Sequence, residues 1–168
     1  MFELAQQLGT SGLSQAIQST LWLTPLLQAI HILMIGIVFI SVLMVVLRIN
    51  GRIRADEPFD ATWTRFAPWM WWALAVMLAT GVVLIIGEPV REASALSFWL
   101  KMGLILVGVL GVLGLRRAAS GFTGNAMPGG TRLAAVILLV VWVAIIYLGR
   151  AIAYDAEIWG SWSLGVYA

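Results

Sequence analysis

His31, Lys101 and Arg150 lie inside stretches that are otherwise apolar, and His31 is the only histidine in the chain. An ionisable group placed among apolar helices is costly to desolvate, so it points to a partner, a water-filled cavity or a bound ligand. Thr24, Gln28 and His31 follow one another at i, i+4 and i+7, the spacing that puts side chains on one stripe of a helix, with Met34 three residues further on. A polar stripe of this kind is predicted to turn away from lipid.

A neutral imidazole can serve as an axial ligand to haem, and two cations near a membrane surface can pair with haem propionates. His31, Gln28, Thr24, Lys101 and Arg150 are therefore the candidate cofactor-binding residues. One histidine excludes bis-histidine ligation within one chain, leaving Met34, Met77, Met102, water or His31 of a second copy as the sixth ligand. A chlorophyll-type pigment needs one axial histidine only, and a quinone needs none. Copper is a further reading, because imidazole and thioether suit copper ions and His31 with Met34 shares a helix face. The bland alternatives are a histidine satisfied by Gln28 or a backbone carbonyl, and ion pairs of Lys101 with Glu88 and of Arg150 with Asp155, which would make the chain a purely structural scaffold or assembly subunit.

No catalytic constellation accompanies these residues. No carboxylate pair stands inside an apolar stretch, and the glycines from Gly121 to Gly130 lack the lysine and strand context of a phosphate loop. Cysteine is absent, which removes disulfides and thiolate metal sites. The net charge of +2 comes from arginines clustered in two connections, a pattern that membrane topology explains without nucleic acid.

The elements that must position these side chains are four apolar runs, at about 22–47, 66–86, 96–115 and 131–154. Each is long enough for a helix to cross a hydrocarbon layer of roughly 30 Å. The chain is 61% hydrophobic and only 11% charged, far from the quarter or so of charged residues in soluble domains. Lipid demands internal pairing of every backbone group, and runs this uniform do not alternate as barrel strands do. The predicted fold is an all-α membrane protein, a four-transmembrane-helix bundle, with residues 1–168 forming one integral membrane domain. Its partners are the lipid bilayer and other membrane subunits or further copies of itself.

Arg48, Arg52, Arg54 and Arg65 fill the first connection and Arg116, Arg117 and Arg132 the third, whereas the second sets Arg91 against Glu88 and Glu92. The excess of arginine predicts that the first and third connections are cytoplasmic in a bacterial inner membrane, with both termini on the periplasmic side. Trp22, Trp99 and Trp159 near one set of span ends, and Trp63 and Trp69 near the other, fit aromatic belts. Ahead of the first span, Phe2, Leu4, Leu8, Leu13, Ile17 and Leu21 recur at helical spacing broken by Gly9 and Gly12, which predicts an N-terminal amphipathic interfacial helix. Glu3 is the first charge, so this segment does not read as a signal peptide. Gly108, Gly111 and Gly114, with Ala75 and Ala79, give faces where helices can approach closely.

Several patches together carry a likeness: His31 with Leu47-Arg48-Ile49-Asn50-Gly51, Pro68-Trp69, Thr80-Gly81, Glu88-Pro89, Phe98-Trp99-Leu100-Lys101-Met102, Trp142 and Gly149-Arg150-Ala151-Ile152-Ala153-Tyr154. In these the chain resembles a family of small four-span bacterial inner-membrane proteins of unassigned function. The resemblance implies that His31, Lys101 and Arg150 are family marks of one site. A looser similarity to copper-resistance membrane proteins and small b-type cytochromes rests on a histidine in a four-helix bundle, and this chain departs from both in having just one.

Overall fold

The computed structural model describes residues 2–125 and 127–164, with the side chain of Phe2 outside the described set. Four helices are long and apolar enough to cross a membrane. They are α3 (Leu23–Ile49), α4 (Phe59–Gly87), α6 (Leu96–Ala119) and α7 (Gly129–Ala151). Short helices flank them: α1 (Phe2–Gly9), α2 (Gly12–Ser19), α5 (Pro89–Ser94) and α8 (Asp155–Trp159). No strand occurs among the described residues.

Antiparallel neighbours pair first, α3 on α4 and α6 on α7, and the two hairpins then meet mainly through α3 and α7. The interface is uneven along its length. In α3 no residue before Val38 is fully buried, whereas Val38, Val42, Val45, Val46 and Ile49 all are. These pack with Phe59, Met70 and Ala73 of α4, Val112 and Leu115 of α6, and Leu138, Trp142 and Ile145 of α7. Gly108 lets α6 close on α7, since a Cβ there would stand 3.3 Å from the Trp142 indole. The hairpins are thus welded at the end carrying the arginine-rich connections and looser at the end where the described terminal segments lie.

Arg48 explains why the first end is so firm. Its side chain is fully buried, and no carboxylate among the described residues pairs with it. Nε and Nη2 donate to the Glu57 carbonyl, Nη2 to the Gly124 carbonyl at 3.0 Å, and Nη1 to the Asn125 carbonyl at 3.1 Å. A planar fork of donors is suited to such divergent acceptors. One residue of α3 therefore ties together the first and third connections. Asp60 adds a second tie, accepting from Arg116 of α6 and from the Gly121 N–H at 2.9 Å.

The opposite end is fastened by Asp155. Its carboxylate accepts from the N–H groups of Leu96 at 3.0 Å and Ser97 at 2.8 Å, and from the Ser163 hydroxyl at 2.7 Å. The first N–H groups of a helix have no partner within it, and α6 gets no cap from its own residue Ala95, so Asp155 supplies one from the far side of the chain. The carboxylate is engaged in this way and forms no ion pair with Arg150. Glu88 likewise pairs with Arg91, at 2.6 Å, and not with Lys101.

The single amphipathic N-terminal helix expected from spacing is two helices, α1 and α2, parted at Thr10-Ser11, where Ser11 caps α2. Ser14 and Ile17 are buried, and Ile17 lies against Gly87, where a Cβ would come within 3.1 Å. Gln18 donates to the Gly87 carbonyl at 2.9 Å. Leu4, Leu13 and Leu21 stay more than half exposed, an apolar ridge suited to lying along a membrane surface.

Candidate functional site

His31 sits on α3 about eight residues from its start, roughly 12 Å along the axis at 1.5 Å per residue. Its neighbours Ile32 and Leu33 are each 66% exposed, so they form the lipid-facing surface, while the imidazole turns sideways onto α4. There its Nδ1 stands 2.8 Å from the Thr80 hydroxyl oxygen. The carbon between the ring nitrogens, Cε1, lies 3.5 Å from where a Cβ would stand on Gly81. Thr80-Gly81 thus receives the ring: Thr80 supplies a polar anchor, and the ring edge passes over Gly81 at ordinary contact distance.

The Thr80 hydroxyl stands within hydrogen-bond distance of three groups, His31 Nδ1 and the Val76 and Met77 carbonyls at 2.9 and 3.2 Å. With its one proton on a carbonyl, the oxygen accepts from Nδ1–H; with the proton turned to the ring, Nδ1 accepts and the ring proton is on Nε2.

The other candidate residues are placed less tightly. Thr24 is half-buried and lines an open groove of about 970 Å³ between α1, α2, the start of α3 and the α4–α5 corner, together with Gln18, Thr20, Gly87, Glu88 and Arg91. Gln28 is exposed on the turn between Thr24 and His31, and no side-chain hydrogen bond joins it to the ring. Met34 and Met77 pack against the apolar core. Among the described residues no three histidine, cysteine, aspartate or glutamate side chains are grouped to hold a metal ion.

Lys101 is half-buried on α6, with its stem 3.7 Å from where a Cβ would stand on Gly149 and its ammonium 5.4 Å from the Phe98 ring centroid. No described carboxylate lies within salt-bridge distance of it. Arg150 is exposed on α7, its guanidinium 5.9 Å from the Tyr154 ring centroid, also without an ion pair among the described residues. The structure therefore joins His31 to Thr80 and Gly81, sets Lys101 against Gly149 and Phe98, and leaves Arg150 exposed beside Tyr154.

Thr80 is the partner that spacing along α3 could not reveal, because it belongs to the other helix of the hairpin. Its signal was present only in the Thr80-Gly81 pair, which is hydroxyl-bearing and small in a run of large apolar residues.

Comparison with known proteins adds one relation. The model of a family of unknown function, DUF6644, matches residues 10–155, a stretch that includes all four long helices and every site residue named above. No curated protein and no solved structure matches the chain.

Proposed function

The chain belongs to that family of unknown function, and on this premise we propose that it is a non-catalytic integral membrane subunit holding a flat, hydrophobic ligand at His31. The ligand classes are haem, quinone or pigment, and the place is the loosely packed half of the bundle near the outer face of a bacterial inner membrane. The observation that carries this reading is the anchored imidazole: His31 bonds Thr80 through Nδ1, its Cε1 lies over Gly81, and Nε2 makes no hydrogen bond among the described residues. A ring that merely needed its polarity satisfied is served by one hydrogen bond at each nitrogen, and here only one is made among the described residues.

Lys101 supports the same reading. An ammonium half-buried without a carboxylate is costly, and an anionic or carbonyl-bearing ligand would supply what is missing. The setting is that of a cofactor-carrying member of an electron-transfer or other membrane complex, or of a homo-oligomer. Organic extraction of protein purified from its own membrane tests the reading. About one hydrophobic small molecule per chain is expected, and an extract free of any such molecule, from protein kept with its native partners, would contradict it.

Orientation belongs to the same proposal. The arginine-rich end, including Arg52, Arg54, Arg117 and Arg132, faces the cytoplasm, and the end bearing α1, α2 and α8 faces outward. Because the chain has no cysteine, single cysteines report position without background. A cysteine at exposed Glu157 is expected to react with an impermeant maleimide added to intact cells, and one at exposed Thr123 only after lysis. The opposite pattern would invert the topology and move the His31 half to the cytoplasmic leaflet.

A further inference from the structure

At the end of the bundle opposite the Arg48 clasp, the open groove of about 970 Å³ between α1, α2, the start of α3 and the α4–α5 corner is lined by neither His31 nor Lys101. We infer that it holds the headgroup of one amine-bearing phospholipid, of the phosphatidylethanolamine class, with the ammonium on Glu88 and the phosphate on Arg91.

Position points to a lipid. Leu21, which lines the groove, is 88% exposed, and its neighbour Trp22 is 66% exposed. Large apolar and indole side chains left this bare beside the start of a spanning helix belong at the level of the lipid headgroups. The groove therefore opens where a headgroup and the top of its acyl chains lie, and Leu21, Pro25 and Val90 give those chains an apolar wall. Gln18, bonded to the Gly87 carbonyl at 2.9 Å, holds α2 against α4 and so keeps the groove in shape.

Charge then selects the headgroup. Glu88 and Arg91 both line the groove, 2.6 Å apart, with 40% and 51% of their side-chain surfaces still accessible. Glu92 stands 3.5 Å from the same guanidinium, so this corner sets two carboxylates against one cation. A wholly anionic headgroup meets net repulsion there. A zwitterion with a primary ammonium matches both signs: its N–H groups donate to Glu88 while its phosphate accepts from Arg91. A quaternary choline has no N–H to donate, so the carboxylate distinguishes the two zwitterions. Thr24 adds a hydroxyl that makes no side-chain hydrogen bond among the described residues, and α3 begins without a side-chain cap, so the donors beside it also suit a phosphate oxygen.

The test is native mass spectrometry of the full chain, delipidated in detergent and titrated with phosphatidylethanolamine, phosphatidylcholine or phosphatidylglycerol of identical acyl chains. One tight equivalent of phosphatidylethanolamine is expected, with the other two weaker by about ten-fold, the effect of one charge-assisted hydrogen bond. Glu88→Gln is expected to bring the amine lipid down to the level of phosphatidylcholine, and Arg91→Gln to weaken all three by about ten-fold. Both side chains are exposed, and thermal melts of each variant separate lost binding from unfolding. Phosphatidylcholine bound as tightly as the amine lipid, or the amine preference kept in Glu88→Gln, would overturn the headgroup assignment. Binding of all three lipids unchanged in Arg91→Gln would move the lipid away from this groove. Soluble phosphoethanolamine displacing the lipid at equal concentration would replace the lipid by a free phosphate ester, and a dimer that Arg91→Gln dissociates would assign the groove to a second copy of the chain.

Discussion

Replacing Arg48 by alanine is expected to destabilise the protein by about 3–5 kcal/mol, the effect of breaking a fully satisfied buried charge network. Three carbonyls, those of Glu57, Gly124 and Asn125, lose donors at once, and each unsatisfied group costs about 1–3 kcal/mol. Surface rehydration of the two connections returns part of that. The loss falls where the hairpins are welded, next to Ile49 and Phe59, both fully buried, so the apolar core opens with it. For a chain of this size the thermal midpoint in detergent should drop by about 10 °C or more. Arg48→Lys should recover only part of the loss, because a single ammonium cannot span acceptors in both connections. A midpoint for Arg48→Ala close to the wild type would show that the clasp is dispensable.

The second large effect is of a different kind. His31→Ala should empty the site while leaving the fold standing. The imidazole contributes one neutral hydrogen bond, worth about 1 kcal/mol, and Thr80 keeps its bonds to Val76 and Met77. Ligand retention, by contrast, should fall to nothing, since the chain contains no other imidazole to replace the lost one. Absorbance or extracted ligand per chain, read beside a melting curve, separates the two outcomes. A variant that retains the wild-type ligand content would remove His31 from the site, and one that loses ligand only because it unfolds would show up in the melt. Arg48 and His31 thus mark opposite ends of the bundle, one governing stability and the other binding.

The four long helices were legible because hydrocarbon imposes length and uniformity at once, and their cores fall where the apolar runs fall. Their ends were less so. The second helix begins at Phe59 and not near residue 66, since Pro58 opens it and Asp60, Thr64 and Arg65 continue it through polar sequence that hydropathy does not register. The fourth helix stops at Ala151, and residues to Tyr154 form a 3₁₀ turn that delivers Asp155 to the start of α6.

Individual roles were harder still. Arg48 reads in the sequence as one of several basic loop residues, and only the folding of both connections over it makes it a buried clasp. His31 stood out because a lone imidazole in an apolar run has no generic explanation. Its partner did not, because a threonine in a transmembrane helix can satisfy itself on its own backbone, as Thr80 also does. What neither helix discloses alone is their register, with His31 and Thr80 at similar distances from the connection between α3 and α4. Lys101 was recognisable as an intramembrane cation, whereas its separation from Glu88 depends on Arg91 claiming that carboxylate first.

The most direct measurement is an experimental density map of the protein taken from its native membrane without added ligand. The account expects a flat feature reaching Nε2 of His31, with Nδ1 on Thr80 and the Lys101 ammonium toward the feature's edge. A clear map in which Nε2 faces only acyl chains, with nothing beside Gly81, would contradict it.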